Sequence, residues 1–148
     1  MKLLTILLTT CAIFFLTGCA SPIKDSSSAL EPGVEMELYK YVTIYDSESA
    51  SFIEQALQNL FRKVGFSIIG EKEAVNHKPG TVLGVRYTEG IRGQVCKLTV
   101  LLEDFTTDLT VLTVQGRGRS FDLISGPRAD CEEAWNQLEE KLKSVLSR

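Results

Sequence analysis

Residues 81–117 read TVLGVRYTEGIRGQVCKLTVLLEDFTTDLTVLTVQGR, and this stretch decides the fold. Three runs within it, at 81–89, 94–103 and 109–117, are rich in β-branched and other apolar residues, which is typical of strands. The short segments GIRG and DFTTD separate the runs. Connections of about four or five residues join antiparallel neighbours, so the stretch predicts a three-stranded meander.

Two amphipathic segments lie on either side of the meander in the sequence. Before it, apolar residues recur at helical intervals from Phe52 to Val64. Ser51 and Glu54 have the spacing of a capping box, and Gly65 stands where a C-terminal cap belongs. This segment predicts a helix that packs on the sheet.

After the meander, a second helix is predicted from Ser125 to the carboxyl end. Pro127 suits its first turn, and an apolar stripe extends from Cys131 to Leu146. Residues 66–69 predict one more short strand. Residues 70–80 are polar and predict a loop with at most one helical turn.

Residues 35–45 alternate between two sets of side chains and predict a further strand. Tyr39, Tyr41 and Tyr45 share one face of it, which fits either a ligand-contacting stripe or a side covered by other elements. Taken together, the elements predict a small α+β sandwich. Its mainly antiparallel sheet has about four or five strands and is covered by two long helices.

The amino-terminal residues predict export. Lys2 precedes an apolar run from Leu3 to Leu16, shorter than the roughly 20 residues that a membrane-spanning helix needs, which indicates a signal peptide. The run ends in Leu16-Thr17-Gly18-Cys19 and resembles the lipobox of bacterial lipoproteins.

In that family the cysteine receives a diacylglycerol, the bond before it is cut, and the new amino terminus is acylated. The resemblance implies that Cys19 is lipidated and begins the mature protein. No aspartate follows at the second position, where Ala20 and Ser21 stand. This implies the outer membrane, with the protein facing the periplasm, rather than the inner membrane.

The chain therefore divides into three parts. Residues 1–18 are the predicted signal peptide, and residues 19–33, rich in Ser, Pro and Gly, are the predicted lipidated flexible tether. Residues 34–148 are of a size for one α+β periplasmic domain and too few for two good cores.

Two cysteines remain once Cys11 is removed and Cys19 is lipidated. Cys96 and Cys131 each lie on the apolar face of their element, and the periplasm favours oxidised pairs. A disulfide is predicted, with two buried free thiols as the alternative. Closing a loop of about 35 residues stabilises a fold by roughly 3 to 4 kcal/mol.

No residue pattern predicts catalysis, a metal site or a cofactor other than the covalent lipid. His77 has no second His or Cys at ligand spacing and is read as a solvated loop residue. The carboxylates of Glu103 and Asp104 are read as solvated surface charge. Arg117 and Arg119, in the segment GRGRS, fit either a bulged strand end or a contact for an anion.

The charge balance adds one exclusion. The full chain has a formal charge of −3, and removal of Lys2 with the signal peptide leaves −4. This gives no electrostatic reason to expect nucleic acid or anionic lipid as a partner.

The expected function is that of an accessory lipoprotein that contacts a secretion, transport or assembly complex of the cell envelope. Alternatives are a small-ligand or lipid-binding module and a lysozyme-inhibitor-like binder of an enzyme.

Overall fold

The computed structural model describes residues 28–45, 52–92, 95–119 and 126–147. The described strands are β1 Ser28–Leu30, β2 Tyr41–Ile44, β3 Ser67–Ile68, β4 Val82–Arg92, β5 Val95–Asp104 and β6 Thr110–Arg119. The described helices are α1 Phe52–Lys63, α2 Glu71–Ala74 and α3 Gly126–Leu146, and Met36–Leu38 form a single 3₁₀ turn. None of the helices in these ranges is long and apolar enough to cross a bilayer.

The strands form one sheet in the order β1-β6-β5-β4-β2-β3. The α+β class matches the prediction. The sheet has six strands rather than four or five, and the short helix α2 accompanies the two long ones. The sheet is mixed, because β2 pairs in parallel with β3 and β4 whereas the other pairs are antiparallel.

The predicted meander is confirmed. β4 pairs with β5 from Leu83 opposite Asp104 to Arg92 opposite Val95, and β5 pairs with β6 along its length. The apolar residues of the three strands consequently meet on one face, because side chains alternate with a period of two. A register shift lies between Leu102 and Glu103, at the end of β5 rather than in the segment GRGRS.

The predicted strand at 35–45 is correct only in its second half. Strand β2 begins at Tyr41, and the residues before it form the 3₁₀ turn. The Tyr39 hydroxyl donates a hydrogen bond to Asp104 at the end of β5, which holds this segment across the end of the sheet. Tyr39 is therefore buried among core residues and does not share a stripe with Tyr41 and Tyr45.

Strand β1 lies inside the stretch 19–33 that the sequence predicts to be a flexible tether. Ser28 pairs with Val114 and Leu30 with Leu112, antiparallel to β6. The prediction missed this strand because a three-residue edge strand is added through backbone hydrogen bonds and shows no side-chain pattern of its own.

Helix α1 ends as the sequence predicts. Gly65 has φ 97°, the Phe66 N–H donates to the Phe61 carbonyl, and the Gly65 N–H donates to the Arg62 carbonyl. This is a Schellman motif. The rings of Phe61 and Phe66 meet edge to face with centroids 5.8 Å apart and supply its hydrophobic contact. Ser51, the predicted amino-terminal cap, lies outside the described residues.

Both long helices pack on the same face of the sheet, which we call the covered face. Its core is one cluster to which α1, α3 and the sheet all contribute. The largest fully buried side chains are Phe61, Ile53, Leu57, Leu60, Leu83, Leu98, Leu102, Leu112, Leu138, Leu142, Leu146 and Val42. Since these side chains fill the space between the layers, the core positions the other face of the sheet as a rigid platform.

Gly116 sets the distance between β6 and α3. A Cβ atom there would collide with the carbonyl oxygen of Ala134 and would lie 3.0 Å from Cβ of Leu138. From Gly116 to Arg119 the strand has no bulge, so the alternative of a bulged strand end is wrong. The strand runs regularly to Arg119, and the glycine permits close approach of the helix.

Candidate functional site

The predicted disulfide is present between Cys96 of β5 and Cys131 of α3, with Cα atoms 5.1 Å apart. The carboxylate of Glu89 lies 3.4 Å from Sγ of Cys131. Among the described residues, these three form a group with metal-ligand atoms within 4.8 Å of one another. Because the two sulfurs are joined and carry no thiolate, the group does not suit a metal ion.

The face of the sheet opposite the long helices carries the candidate functional groups, and we call it the open face. Its side chains on the meander are mostly polar and at least partly exposed. They belong to Arg86, Thr88, Arg92, Val95, Lys97, Thr99, Leu101, Glu103, Thr113, Gln115, Arg117 and Arg119. Two ends of this face differ in their chemistry.

The aromatic end is formed by Tyr45, Gly84, Arg86, Glu103 and Phe105. The Arg86 guanidinium lies 4.3 Å from the centre of the Tyr45 ring, and its Nε donates to Oε2 of Glu103 at 2.9 Å. The Tyr45 and Phe105 rings stack with centroids 6.4 Å apart. A Cβ atom on Gly84 would lie 2.5 Å from the Tyr45 hydroxyl, so the glycine lets the tyrosine lie across the sheet.

The charges of the aromatic end are partly balanced. Burial raises the pKa of Tyr45, the positive charge of Arg86 opposes that rise, and the charge of Glu103 adds to it. The hydrogen bond and charge of Glu103 raise the pKa of Arg86. The cluster therefore presents a protonated phenol and a guanidinium held in a fixed orientation, which suits recognition rather than proton transfer.

The basic end is formed by Arg92, Lys97, Arg117 and Arg119. Lys97 lies directly opposite Arg117, while Arg92 and Arg119 both lie opposite Val95. All four side chains are exposed. The structure thus brings the predicted anion-contact residues together with two further cations that the sequence analysis did not connect with them.

Helix α3 protects the backbone at the outer edge of β6. The Arg117 N–H donates to Oε1 of Gln137 at 3.4 Å, and the Arg119 N–H donates to Oε2 of Glu133 at 3.1 Å. Lys141 donates to the carbonyl of Gln115. The side chains of α3 thereby satisfy edge groups that would otherwise offer a pairing site to another strand.

A groove of about 670 Å³ lies at the end of the sheet beside β1 and the β5–β6 turn. Its lining includes Val34, Tyr39, Asp104, Leu109 and Val111. The Tyr39 hydroxyl donates to Oδ2 of Asp104 at 3.1 Å, within this lining. Burial, followed by the hydrogen bond and negative charge of Asp104, raises the pKa of Tyr39 to about 12.

Asp104 was predicted to be solvated, and this is wrong because the carboxylate is only 6% exposed. Its Oδ1 accepts hydrogen bonds from the N–H groups of Thr106 and Thr107, each at 3.0 Å, and from the Thr107 hydroxyl. These bonds and the one from Tyr39 fix the β5–β6 turn. Asp104 therefore acts as a structural acceptor.

His77 lies against the aromatic ring of Tyr41, with centroids 4.0 Å apart. Its Nε2 is 3.9 Å from Oε1 of Glu73. The histidine therefore packs on the sheet at β2 rather than extending into solvent. Cys19, the predicted lipidation site, lies outside the described residues.

No protein family and no curated protein matches the sequence. Among solved structures, the chain is similar to a PelC dodecamer from Paraburkholderia phytofirmans, at 18% identity over 82% of this chain and 96% of that one, with a TM-score of 0.47. A point variant of the same PelC dodecamer gives 18% identity, 83% and 98% coverage and a TM-score of 0.48. Similarity at this level assigns neither a family nor a function.

Proposed function

We propose that this chain is a lipid-anchored accessory protein of the bacterial cell envelope that binds a protein of a secretion, transport or assembly complex. The binding surface is the aromatic end of the open face. The observation that carries the proposal is the arrangement of the exposed Arg86 across the Tyr45 ring at 4.3 Å, on the face opposite the long helices. Tyrosine and arginine dominate the binding energy of protein interfaces.

The aromatic end is pre-organised for binding. Gly84 makes room for Tyr45, Phe105 stacks on it, and Glu103 fixes Arg86 from the other side. Since these side chains are already ordered, they lose less conformational entropy when a partner binds than mobile side chains would. This favours recognition of a defined partner.

The anchor rests on the lipobox at Leu16-Thr17-Gly18-Cys19. Two or more acyl chains make membrane attachment effectively permanent. We place the protein in the outer membrane, facing the periplasm. The disulfide between Cys96 and Cys131 supports an oxidising compartment, where such bonds persist.

Binding is favoured over catalysis by the state of the reactive groups. The disulfide removes both described thiols from nucleophilic chemistry. Both carboxylate oxygens of Asp104 already accept hydrogen bonds, and the Tyr39 phenol remains protonated at neutral pH. We therefore propose no enzymatic activity and no cofactor beyond the covalent lipid.

A second candidate function is favoured by the groove beside Tyr39. A volume of about 670 Å³ is within the range of small-molecule sites. Leu109 and Val34 give it apolar lining, and Leu109 is 67% exposed. The second candidate is therefore the binding of a small apolar ligand or a lipid chain in this groove. Organic extraction of protein purified from its native envelope, followed by mass spectrometry, tests this candidate, and an extract without any stoichiometric small molecule contradicts it.

The proposed protein partner is tested by isolating the full-length protein from solubilised envelopes with everything bound to it. Wild type should retain a stoichiometric partner, and Arg86→Gln should lose it. Arg62→Gln, which removes the same charge from the exposed surface of α1, should retain the partner. A partner retained equally by both variants would exclude the aromatic end as the binding surface.

The anchor is tested separately with Cys19→Ser. Without the thiol no diacylglycerol can be attached, so mass spectrometry should find the added mass of the lipid on Cys19 of the wild-type protein and no such mass on the variant. A wild-type Cys19 that carries no lipid would contradict the lipid anchor.

A further inference from the structure

We infer that the basic end of the open face docks on the phosphate groups of anionic phospholipids in the membrane that holds the anchor. The inference rests on the lipid anchor of the proposed function and adds a second membrane contact to it. It assigns the two ends of the open face to different partners, phospholipid at the basic end and protein at the aromatic end.

Positive charge is segregated on the open face. The chain as a whole is acidic, with a formal charge of −3, yet three adjacent strands place four cations together at one end of this face. Lys97 and Arg117 are direct cross-strand neighbours, so an anionic surface that approaches this end meets several cations at once.

The described carboxylates do not offset the basic end from within the same face. Glu103, the carboxylate that β4, β5 and β6 contribute to that face, lies at the aromatic end and is paired with Arg86 at 2.9 Å. Glu133 approaches the backbone of Arg119 from helix α3 at the sheet edge. Arg117 and Arg119 make further contacts of their own, and all four cationic side chains are exposed.

The direction in which the chain enters the sheet is set by β1. β1 is antiparallel to β6, with Ser28 opposite Val114 and Leu30 opposite Leu112. The chain therefore reaches Ser28 from the side on which β6 continues to Arg117 and Arg119. The basic end is the end of the sheet nearest to the point where the tether arrives.

The number of residues between Cys19 and β1 limits how far the sheet can lie from the anchor. Ser28 follows Cys19 by nine residues, and an extended chain spans at most about 3.6 Å per residue, or roughly 32 Å here. The anchor thus holds the basic end within reach of the lipid headgroups. The basic end therefore encounters lipid phosphates more often than it encounters a soluble polyanion.

Net charge alone predicted no attraction to anionic lipid. Electrostatic attraction at a membrane acts within about one Debye length, roughly 8 Å at physiological salt, so only the residues that face the bilayer contribute. Each lysine or arginine near an anionic surface raises the binding constant about fivefold. For docking on a membrane, the local positive charge of the basic end therefore matters more than the negative net charge of the chain.

The test uses the full-length lipidated protein, reconstituted into phosphatidylcholine vesicles with and without phosphatidylglycerol. Trp135 is the single tryptophan of the chain and serves as donor for energy transfer to a dansyl headgroup in the bilayer. We expect higher transfer in the vesicles that contain phosphatidylglycerol. At about 1 M salt, where the Debye length is roughly 3 Å, the difference should disappear.

Two variants with equal charge changes make the test specific to the basic end. Arg92→Gln combined with Lys97→Gln should lower the ratio of docked to undocked protein about 25-fold, which is fivefold for each charge. Arg62→Gln combined with Lys63→Gln, on the exposed side of α1, should leave it unchanged. Equal thermal unfolding midpoints confirm that both double variants are folded.

Three results would overturn the inference: equal transfer in both kinds of vesicle, equal loss in both double variants, or a response to an added acidic polysaccharide without any response to phosphatidylglycerol. Vesicle flotation at high salt distinguishes failure of the docking from failure of the lipid anchor. Protein that floats with both vesicle types but shows no lipid-dependent transfer contradicts only the docking. Protein that does not float contradicts the anchor itself.

Discussion

Strand β6 presents the covered face and the open face on alternate residues. Gly116 and Gly118 are buried, and Gly116 lies against α3, whereas Arg117 and Arg119, which alternate with them, are exposed on the other side. A substitution on the covered face disturbs core packing that no other group restores. A substitution on the open face removes exposed groups whose interactions water can replace. The two-residue period of one sheet therefore separates the packed core from the exposed charged groups.

The largest expected effect comes from the disulfide that joins the covered face to α3. Cys96→Ala combined with Cys131→Ala should lower the free energy of unfolding by about 3 to 4 kcal/mol, because the unfolded chain regains the entropy of an open loop. Urea unfolding of the oxidised wild type and the double variant measures this. A loss below about 1 kcal/mol would show that the linkage contributes little to the fold.

The next effect tests the close approach of β6 and α3. Gly116→Ala should cost about 2 to 3 kcal/mol, because the new methyl group meets the Ala134 carbonyl and the backbones must separate. Gly90→Ala is the matched control, since a Cβ there finds its nearest neighbour at 3.9 Å. Similar midpoints in thermal unfolding for the two variants would contradict the account of α3 packing.

A smaller effect concerns the Tyr39–Asp104 hydrogen bond. Tyr39→Phe should cost about 1 kcal/mol near neutral pH, because Asp104 loses one buried donor. Tyr41→Phe is the control, since Tyr41 is only half-buried.

The same pair also predicts a pH dependence. The pKa of Tyr39 is raised from 10.0 to about 12, so the folded state holds this proton more tightly than the unfolded chain does. The resulting stabilisation is complete below pH 10 and disappears as pH rises to about 12. The difference in unfolding free energy between wild type and Tyr39→Phe should narrow across this range, and a constant difference would contradict the shift.

The smallest expected effect on stability lies on the open face. Arg86→Gln should leave the thermal unfolding midpoint nearly unchanged, because the arginine is more than half exposed and its ion pair with Glu103 is screened by water. The same substitution should nevertheless abolish partner binding in the isolation experiment. A large loss of stability together with retained binding would reverse the roles assigned to the two faces.

The features that the sequence predicted are those encoded locally. The alternation in β4–β6 and the cap at Gly65 depend on neighbouring residues, and both are confirmed. The disulfide was predictable because Cys96 and Cys131 lay on apolar faces of elements expected to pack together.

The features that the sequence did not predict depend on long-range pairing. Tyr39 and Asp104 are 65 residues apart, and nothing in either segment indicates the other. The contact between Arg86 and Glu103 follows only from the register of β4 and β5. The basic end likewise follows only from the register that places Lys97 opposite Arg117.

Site-specific photo-crosslinking in the native envelope tests the division between the two faces most directly. A crosslinking residue at Thr88, exposed on the open face near Arg86, is compared with one at Asn59, exposed on α1. We predict a single dominant protein adduct from position 88, lost when Arg86→Gln is added, and no adduct from position 59. An adduct from position 59 alone, or the same adduct from both positions, would contradict the assignment of recognition to the open face.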